Sequence, residues 1–433
     1  MKPKAFLTAA YKTALIIAVF ICAIVFTKSI PVNYLNFSGY ATSDVLYANG
    51  ETAHFDDKNF GEVNKGDVVT IHLSLPEQHF MEDAALVFYD FNAVTEVWCD
   101  GILLESYGEE LAAKGMMIGN HDFSISVPDS AWGGEITIIL RATESPAFSN
   151  FTSLRVYPAQ YAYQYYYDGD PLGFVVTLVL FVFGLVGLCV CALGRIRSAV
   201  LTNGVCLSLT ILLVSLWMIA NKGLYNIFQL DYYFWQPLEY IVGYAIPIPL
   251  LLFFRNIADK KSKWHKAFGI TALIAAAFLV VTTVLNFTNI LHYDSFMTVA
   301  SVLILFSGVM MMVYSLQRRS DGGKKFQLLR IGMYIFIPTC LYDTFLRSLY
   351  RVWPLPIFHN LPSLITIGIL FLFMYMAGAF ICDLFEKQSA LSDAKVKADT
   401  LNQVIDSTSV GICQLAVGDT VSVVAANNIF YKL

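Results

Sequence analysis

Seven long apolar segments in the second part of the chain constrain its fold more than any other feature. Each is close to the roughly 20 residues that a helix needs to cross the hydrocarbon core of a bilayer. Because backbone polar groups cannot stay unpaired in lipid, each segment is predicted to be a helix, and 171–382 a helical bundle. The segments are 171–193, 199–220, 234–254, 267–285, 295–316, 328–349 and 361–382.

The composition agrees with a membrane protein and excludes several other classes. Hydrophobic residues make up 57% of the chain and charged residues 14%, whereas a soluble domain is roughly half apolar and about a quarter charged. A soluble enzyme, a disordered chain and a small disulfide scaffold are therefore excluded. Another apolar run, 13–27, follows Lys2, Lys4 and Lys12. We expect residues 1–30 to be an uncleaved signal anchor, with a cleaved signal peptide as the alternative.

The basic residues predict which way the bundle is oriented. Twelve Lys and Arg residues lie in or beside the first, third and fifth loops between the seven segments, and two in the other three loops. Loops rich in Lys and Arg stay in the cytoplasm. We therefore expect a multi-pass protein of the plasma membrane, with residues 31–165 extracellular and the C-terminus cytoplasmic.

Residues 31–165 have the pattern of an all-β domain. Residues 68–75 alternate between apolar and polar side chains, and 85–90, 95–98, 102–104, 123–127 and 135–140 are further predicted strands. Asp100 and Gly101 form a hairpin turn signal. From 31 to 170 there are 21 acidic and 5 basic residues. Such a negative segment repels nucleic acid, so we expect no nucleic-acid partner.

Three stretches of this domain, VTEVWCDGILLESYG, GNHDFSISVP and EITIILRAT, resemble galactose-binding-like jelly-roll domains. The resemblance implies a sandwich that binds a small ligand such as a sugar. Aromatic side chains that could stack on a sugar ring are Tyr89, Phe91, Trp98, Phe123 and Trp132. The sequence indicates no glycosidase carboxylate pair, no metal-ligand cluster and no cofactor.

Besides Arg330 at the cytoplasmic end of its segment, three charged residues fall inside predicted membrane helices, where charge is costly and often functional. Glu239 lies about five residues from the outer end of its helix, and Asp343 and Arg347 lie four apart near the outer end of another. Residues four apart share a helix face. We expect Glu239, Asp343 and Arg347 to form one cluster, which either ties two helices together or takes part in switching.

The chain changes character after the last apolar segment. From 383 to 406, Leu391, Ala394, Ala398, Leu401 and Ile405 recur at spacings of three and four. This is the a/d pattern of a coiled coil, which predicts a signalling linker and a parallel homodimer. A helix that packs on its own domain is the alternative.

Residues 407–433, STSVGICQLAVGDTVSVVAANNIFYKL, resemble the opening of a PAS domain, an α+β fold. The resemblance implies a first strand at 411–413, a second at 421–425 and a helix from 426. We expect the natural protein to continue beyond residue 433.

The order of anchor, extracellular β domain, seven helices, coiled coil and PAS opening resembles that of the bacterial seven-transmembrane receptors with diverse intracellular signalling modules. The resemblance implies a receptor that relays ligand binding to an output enzyme beyond residue 433, a GGDEF diguanylate cyclase that makes cyclic-di-GMP or, alternatively, a histidine kinase. A transporter and a membrane-embedded transferase are the alternatives from other classes. The chain itself contains no catalytic constellation, since the bundle offers no His or paired acidic motif suited to acid–base chemistry.

Overall fold

The structure is a computed structural model. It describes residues 34–36, 41–56, 60–78, 81–145, 147–148, 154–164, 171–195, 201–221, 224, 232–317, 323–352, 364–407, 413–417 and 421–426. The predicted anchor segment, 1–30, lies outside the described residues.

The N-terminal half of the described chain folds into two antiparallel sheets. A six-stranded sheet has the order β3-β2-β4-β9-β6-β7, and a four-stranded sheet has the order β1-β10-β5-β8. The strands are β1 Leu35–Asn36, β2 Ala41–Leu46, β3 Thr52–Phe55, β4 Val68–Ser74, β5 Ala84–Phe91, β6 Ala93–Cys99, β7 Ile102–Tyr107, β8 Asn120–Ser126, β9 Glu135–Ala142 and β10 Arg155–Pro158. Helix α1, Glu109–Ala113, follows β7.

Alternation along the strands places one hydrophobic core between the two sheets. On β9, Ile136, Ile138 and Leu140 are buried while their neighbours are more exposed, as expected for a strand with one face inward. On the other sheet, Phe88 pairs with Phe123 across β5 and β8, and their rings stack at 4.7 Å. Both groups belong to the same buried cluster. The all-β prediction for this region is therefore confirmed at the level of two packed sheets.

The predicted hairpin at Asp100 and Gly101 is confirmed. It joins β6 to β7, and both residues have positive φ, 49° and 75°. Two consecutive residues in this conformation give the turn a twist that matches the flanking strands, and Asp-Gly adopts it at low cost.

The C-terminal half is helical. Its helices are α2 Pro171–Arg195, α3 Thr202–Asn221, α4 Tyr232–Ala245, α5 Pro247–Ile257, α6 Lys263–Phe287, α7 Met297–Gln317, α8 Lys324–Val352 and α9 Ile365–Ser407. A 3₁₀ turn, Tyr293–Phe296, precedes α7. Helices α4 and α5 are separated at Ile246, where Pro247 lacks the N–H that would continue the hydrogen-bond ladder.

Six stretches of helix among the described residues are long and apolar enough to cross a membrane. They are Gly173–Gly194, Thr202–Asn221, Trp235–Ile257, Lys263–Phe287, Tyr293–Gln317 and Ile365–Leu401. Each overlaps one of the seven predicted spans. The seventh, 328–349, is helical and lies inside α8, but α8 is not among the six. The chain is thus a multi-pass membrane protein with six candidate spans.

Helix α9 does not end where the predicted span ends. It continues for 43 residues, from Ile365 to Ser407, through the whole predicted linker. Within the bundle, Phe373, Met376 and Phe380 of α9 are buried in the main helical core. After α9, strands β11 (Cys413–Val417) and β12 (Val421–Ala426) pair as an antiparallel hairpin. The strand predicted at 421–425 coincides with β12, whereas β11 begins where the strand predicted at 411–413 ends. The helix predicted from 426 lies outside the described residues, except for Ala426, which ends β12.

Candidate interdomain site

The β domain contacts the helical bundle through a polar junction that begins at Asn92. This single residue joins β5 to β6 and has φ 54°, a left-handed conformation that Asn tolerates better than most residues. Its side-chain oxygen accepts from the Gly119 amide at 3.1 Å. Its side-chain amide donates to Asp294 Oδ2 at 2.5 Å. Asn92 is fully buried, so its side chain both shapes the corner of the β domain and reaches the bundle.

Asp294 receives a second hydrogen bond from within the bundle. The residue lies in the 3₁₀ turn before α7, and its other carboxylate oxygen accepts from the Tyr240 hydroxyl. The Tyr240 ring stacks on Tyr293 at 5.3 Å, with the planes 4° apart. The Tyr244 hydroxyl donates to the Tyr293 carbonyl at 2.9 Å. The 3₁₀ turn is thus fixed to α4, and a movement of Asn92 would act directly on α4 and α7.

His292 forms a second connection between the β domain and the bundle. Its Nδ1 meets the Glu144 carboxylate, and its Nε2 lies 3.0 Å from the Gly115 carbonyl. Both partners are acceptors, so both ring nitrogens must donate, and the contacts are satisfied only by the imidazolium. The hydrogen bond that His292 donates to Glu144 outweighs the opposing effect of burial and raises the pKa of His292.

Glu239 lies beside this junction on α4. Its Oε1 accepts from the Asn221 amide of α3 at 2.8 Å, and its Oε2 accepts from Asn120 of the β domain at 3.5 Å. The neighbouring Gly119 has φ 68°, and a Cβ placed on it would lie 2.5 Å from Gln236 Nε2. Glycine at this position therefore permits both the turn and the close approach of the β domain to α4.

A polar crevice opens between the β domain and the segment before α7. Its volume is about 540 Å³, which is in the range of small-molecule sites. Positively and negatively charged side chains line it, together with hydroxyl and amide groups: Lys65, Thr143, Glu144, Asn289, His292 and Ser295. A small polar molecule in this crevice would contact the His292–Glu144 pair.

Behind Asn92, the β domain buries an unusual pair of titratable groups. Asp90 is 4% exposed and accepts from the Thr95 hydroxyl, and burial raises the pKa of Asp90 to about 8. Burial lowers the pKa of His121 to about 4. The His121 ring stacks on Tyr107 at 3.6 Å. Near neutral pH, these pKa values favour a protonated Asp90 and a neutral His121.

The five predicted ligand-stacking aromatics do not form one surface. Phe123 is fully buried against Phe88 and is a core residue. Trp132 is partly buried and packs against the same core. Tyr89 and Phe91 share the outer face of β5, and Tyr89 is 38% exposed. Trp98 is partly exposed on β6, and its Nε1 donates to Glu96. A role in binding for the four residues other than Phe123 stays a prediction.

The predicted cluster of three membrane charges is only partly described. Glu239 has the Asn221 and Asn120 contacts given above. Asp343 and Arg347 lie on α8, but their side chains lie outside the described part of the structure. A cluster of Glu239, Asp343 and Arg347 therefore stays a prediction.

The predicted relay seam lies on the exposed part of α9. Leu391 is 70% exposed and Leu401 60% exposed, and Ala394 and Ala398 are exposed as well. The side chain of Ile405 lies outside the described part. These side chains form an uncovered seam in the single chain.

Sequence reasoning missed an ion cluster at the far end of the bundle, where α9 leaves it. The Asp383 carboxylate is 3% exposed and lies 3.0 Å from Lys325 Nζ of α8 and 2.7 Å from Lys387 Nζ. Asn203 of α3 donates to it at 3.2 Å. Asp383 thus joins three helices. The spacing of Asp383 and Lys387 was a readable signal, but their partners on α3 and α8 were not.

No group of three or more His, Cys, Asp or Glu residues that could hold a metal occurs among the described residues. Comparisons of the chain with protein-family models, curated proteins and solved structures found no match.

Proposed function

We propose that this chain is the sensory and membrane part of a bacterial signal-transduction receptor. In this proposal the β domain, on the extracellular side, senses a small ligand, and the helices relay the change to a cytoplasmic output. The class of receptor is the one with seven membrane helices and diverse intracellular signalling modules, in which α8 supplies the remaining helix. A diguanylate cyclase is the preferred output and a histidine kinase the alternative.

The observation that carries the proposal is the unbroken course of α9. A helix that packs in the bundle at Phe373 and Met376 continues without interruption to Ser407. At 1.5 Å per residue, the part after Asp383 extends about 36 Å past the bundle. Because a continuous helix moves as one element, a rotation or shift inside the membrane would reach residue 407.

The polar junction supports the input half of the route. Asn92 reaches Asp294, which also holds Tyr240 of α4, so the β domain is bonded to two helices of the bundle. A ligand can change this arrangement only through a different affinity for two states of the protein. The polar crevice beside His292 is a second place, besides the surface aromatics of the β domain, where a small ligand such as a sugar could act.

The Asp383 cluster supports the output half. It holds α9 to α3 and α8 through buried charge contacts. Breaking one partner of a buried ion pair costs about 3–5 kcal/mol. The cluster therefore defines one position of α9, and a shift of α9 would need these contacts to rearrange.

The exposed seam supports a homodimer. Leu391 and Leu401 are apolar, more than half exposed and ten residues apart on one helix. Paired helices in a parallel coiled coil would bury this seam and transmit a rotation of α9 to the domain that follows.

Disulfide formation at the seam tests the relay. The full chain with Leu401→Cys, in liposomes, should form an oxidant-dependent disulfide dimer that the wild type, with its native cysteines alone, does not form at the same rate. Adding Asn92→Asp, which breaks the contact with Asp294 at the opposite end of the bundle from the seam, should change that rate. A rate that is unaffected by Asn92→Asp would refute the relay.

A panel of mono- and disaccharides tests the sensing step in the same assay. One or more sugars should change the disulfide rate of Leu401→Cys in the otherwise native chain but not in chains that also carry Asn92→Asp. In a receptor with its output attached, Leu401→Glu should abolish the response to ligand and leave ligand binding unchanged, because a buried charge opposes helix pairing. A response that survives Leu401→Glu would contradict the dimeric linker.

A further inference from the structure

The helical bundle holds an apolar cavity, open on one side, that the proposed relay does not use; its lining residues Met297 and Ile304 are about half exposed. Its volume is about 380 Å³, within the roughly 300–1,000 Å³ of small-molecule sites. Side chains of α3, α4, α5, α7, α8 and α9 line it. A cavity in contact with six helices is well placed to respond to, or to bias, their arrangement.

The cavity is elongated along the helices. On α7 its lining residues recur at helical spacing from Met297 to Met311, which is about 21 Å at 1.5 Å per residue. On α9 they run from Ile365 to Met376. A chain-like ligand fits such a space better than a compact one.

The strongest polar groups of the cavity lie at one end. Thr210 and Ser307 also line it, but their hydroxyls donate to carbonyls of their own helices. Asn221, Glu239 and Tyr240 lie at the end next to the β domain, whereas Phe254, Met311 and Met376 line the other end. Glu239 is the one charged side chain among the described lining residues. Among the described lining residues, the polar end therefore offers a carboxylate and no cation, which suits a head group that donates hydrogen bonds and disfavours an anionic one.

We propose that the cavity binds a single-chain amphiphile from the bilayer, with an alcohol or amine head group at Glu239 and its chain along Met297–Met311. This goes beyond the proposed function, because it adds an input from the membrane to the one from the β domain. Glu239 also accepts from Asn120 of the β domain, so the head group lies beside the junction between the two domains.

The α7 helix offers a matched pair of substitutions. Gly308 lines the cavity, and a Cβ added there meets nothing within 4 Å. Gly308→Phe should therefore fill the cavity. Val309 is the next residue, is 53% exposed and is not among the lining residues. Val309→Phe adds bulk to the same helix and leaves the cavity open.

The test measures binding of three radiolabelled probes with the same chain and different head groups: tetradecanol, tetradecylamine and tetradecanoic acid. The full chain is placed in phosphatidylcholine nanodiscs, and empty nanodiscs give the background from partitioning. The alcohol and the amine should each bind saturably, one per chain, and the acid at least about tenfold more weakly, because a second carboxylate would face Glu239. Equal binding of all three probes, or no saturable binding, would overturn the proposal.

The variants give an independent readout. Gly308→Phe should weaken the alcohol and the amine by at least about tenfold and Val309→Phe should not. Glu239→Gln should weaken the amine about tenfold and change the alcohol little, since only the amine gains from the charge. Unchanged binding in Gly308→Phe would place the probes elsewhere. A change of oligomeric state in Gly308→Phe without any saturable probe binding would mean that a second copy of the chain covers the cavity, and would also overturn the proposal.

Discussion

The contact between Asn92 and Asp294 allows a specific perturbation of the junction. Asn92→Asp keeps a side-chain oxygen for the Gly119 amide and a residue type that tolerates φ 54°. It replaces the donor that faces the Asp294 carboxylate with a second carboxylate. The β domain should therefore stay folded while its contact with the bundle weakens.

The expected cost follows from two effects. Loss of a hydrogen bond to a charged acceptor costs about 1.5–3 kcal/mol. Two carboxylates about 4 Å apart repel by about 4 kcal/mol at an effective dielectric of 20, although uptake of one proton limits this cost. With the repulsion limited by proton uptake, the net cost is about 3–5 kcal/mol. This cost raises the ratio of undocked to docked molecules roughly 10²- to 10⁴-fold.

Cysteine labelling measures this ratio. Met117 of the β domain is 6% exposed and packs with Tyr240 and Tyr293 of the bundle. In a Met117→Cys background, a bulky maleimide should react only with undocked molecules, so Asn92→Asp should speed labelling by the factor given above. The native cysteines, measured without Met117→Cys, give the background rate.

Exchanging the two partners provides the control. Asn92→Asp combined with Asp294→Asn restores one donor and one acceptor in reversed positions, and the oxygen that accepts from Tyr240 is retained. The combined change should return labelling to within about tenfold of the starting rate. If Asn92→Asp alone leaves the rate unchanged, or if the exchange does not rescue it, the assigned contact is wrong.

Three further predictions concern titration and the far end of the bundle. The folded-state pKa of Asp90, about 8, lies above its ordinary 3.8, so the free energy of unfolding falls as pH rises between these values. The folded-state pKa of His121, about 4, lies below its ordinary 6.5, so the free energy of unfolding rises as pH rises between those two values. From about pH 6.5 to 8 the β domain should therefore lose about 2 kcal/mol in urea unfolding, and Asp90→Asn should remove this loss. Because the pKa of His292 is raised, its hydrogen bond to Glu144 stabilises docking fully below pH 6.5 and is lost as pH rises through the docked-state pKa. Labelling of Met117→Cys should accelerate over that rise in pH. Glu144→Gln should abolish this pH dependence. Asp383→Ala should destabilise the bundle by about 1.5–3 kcal/mol, measured by thermal unfolding in detergent, because Lys325 loses its buried partner and keeps only the half-exposed Glu386. The exposed Asp393→Ala should change the stability by less than about 0.5 kcal/mol.

The parts of the fold that sequence predicted well are those set by local patterns. Six of the predicted spans coincide with candidate membrane helices, because their hydropathy is continuous over a bilayer's thickness. The strands at 68–75 and 135–140 were found because they alternate, and the turn at Asp100 and Gly101 because few residues adopt its conformation. Helix at 383–406 was indicated by the spacing of three and four residues in the relay seam, although the sequence changes from apolar to polar at 383 within α9.

The junction could not be predicted in the same way. Asn92 and Asp294 are 202 residues apart, and neither carries a local signal for the other. Aromatic residues in the β domain were easy to select as ligand contacts, yet burial depends on which face of a strand turns inward. Phe123 illustrates this, because its pairing with Phe88 places it in the core.

The junction and the cavity share residues, so docking of the β domain and binding of an amphiphile should influence each other, although each can be measured by its own assay. Glu239 lines the polar end of the cavity and accepts from Asn120, and Tyr240 lines the same end and donates to Asp294. A head group that bonds to Glu239 competes with Asn120 for its oxygen, whereas one that leaves this bond intact adds a contact to the docked state. Because coupling between two sites is reciprocal, Asn92→Asp should change amphiphile affinity by the same factor by which the amphiphile changes docking. Changes by the same factor in the two assays would identify one coupled unit. An amphiphile whose binding depends on Gly308 but does not alter Met117→Cys labelling would show that the cavity acts separately from the junction.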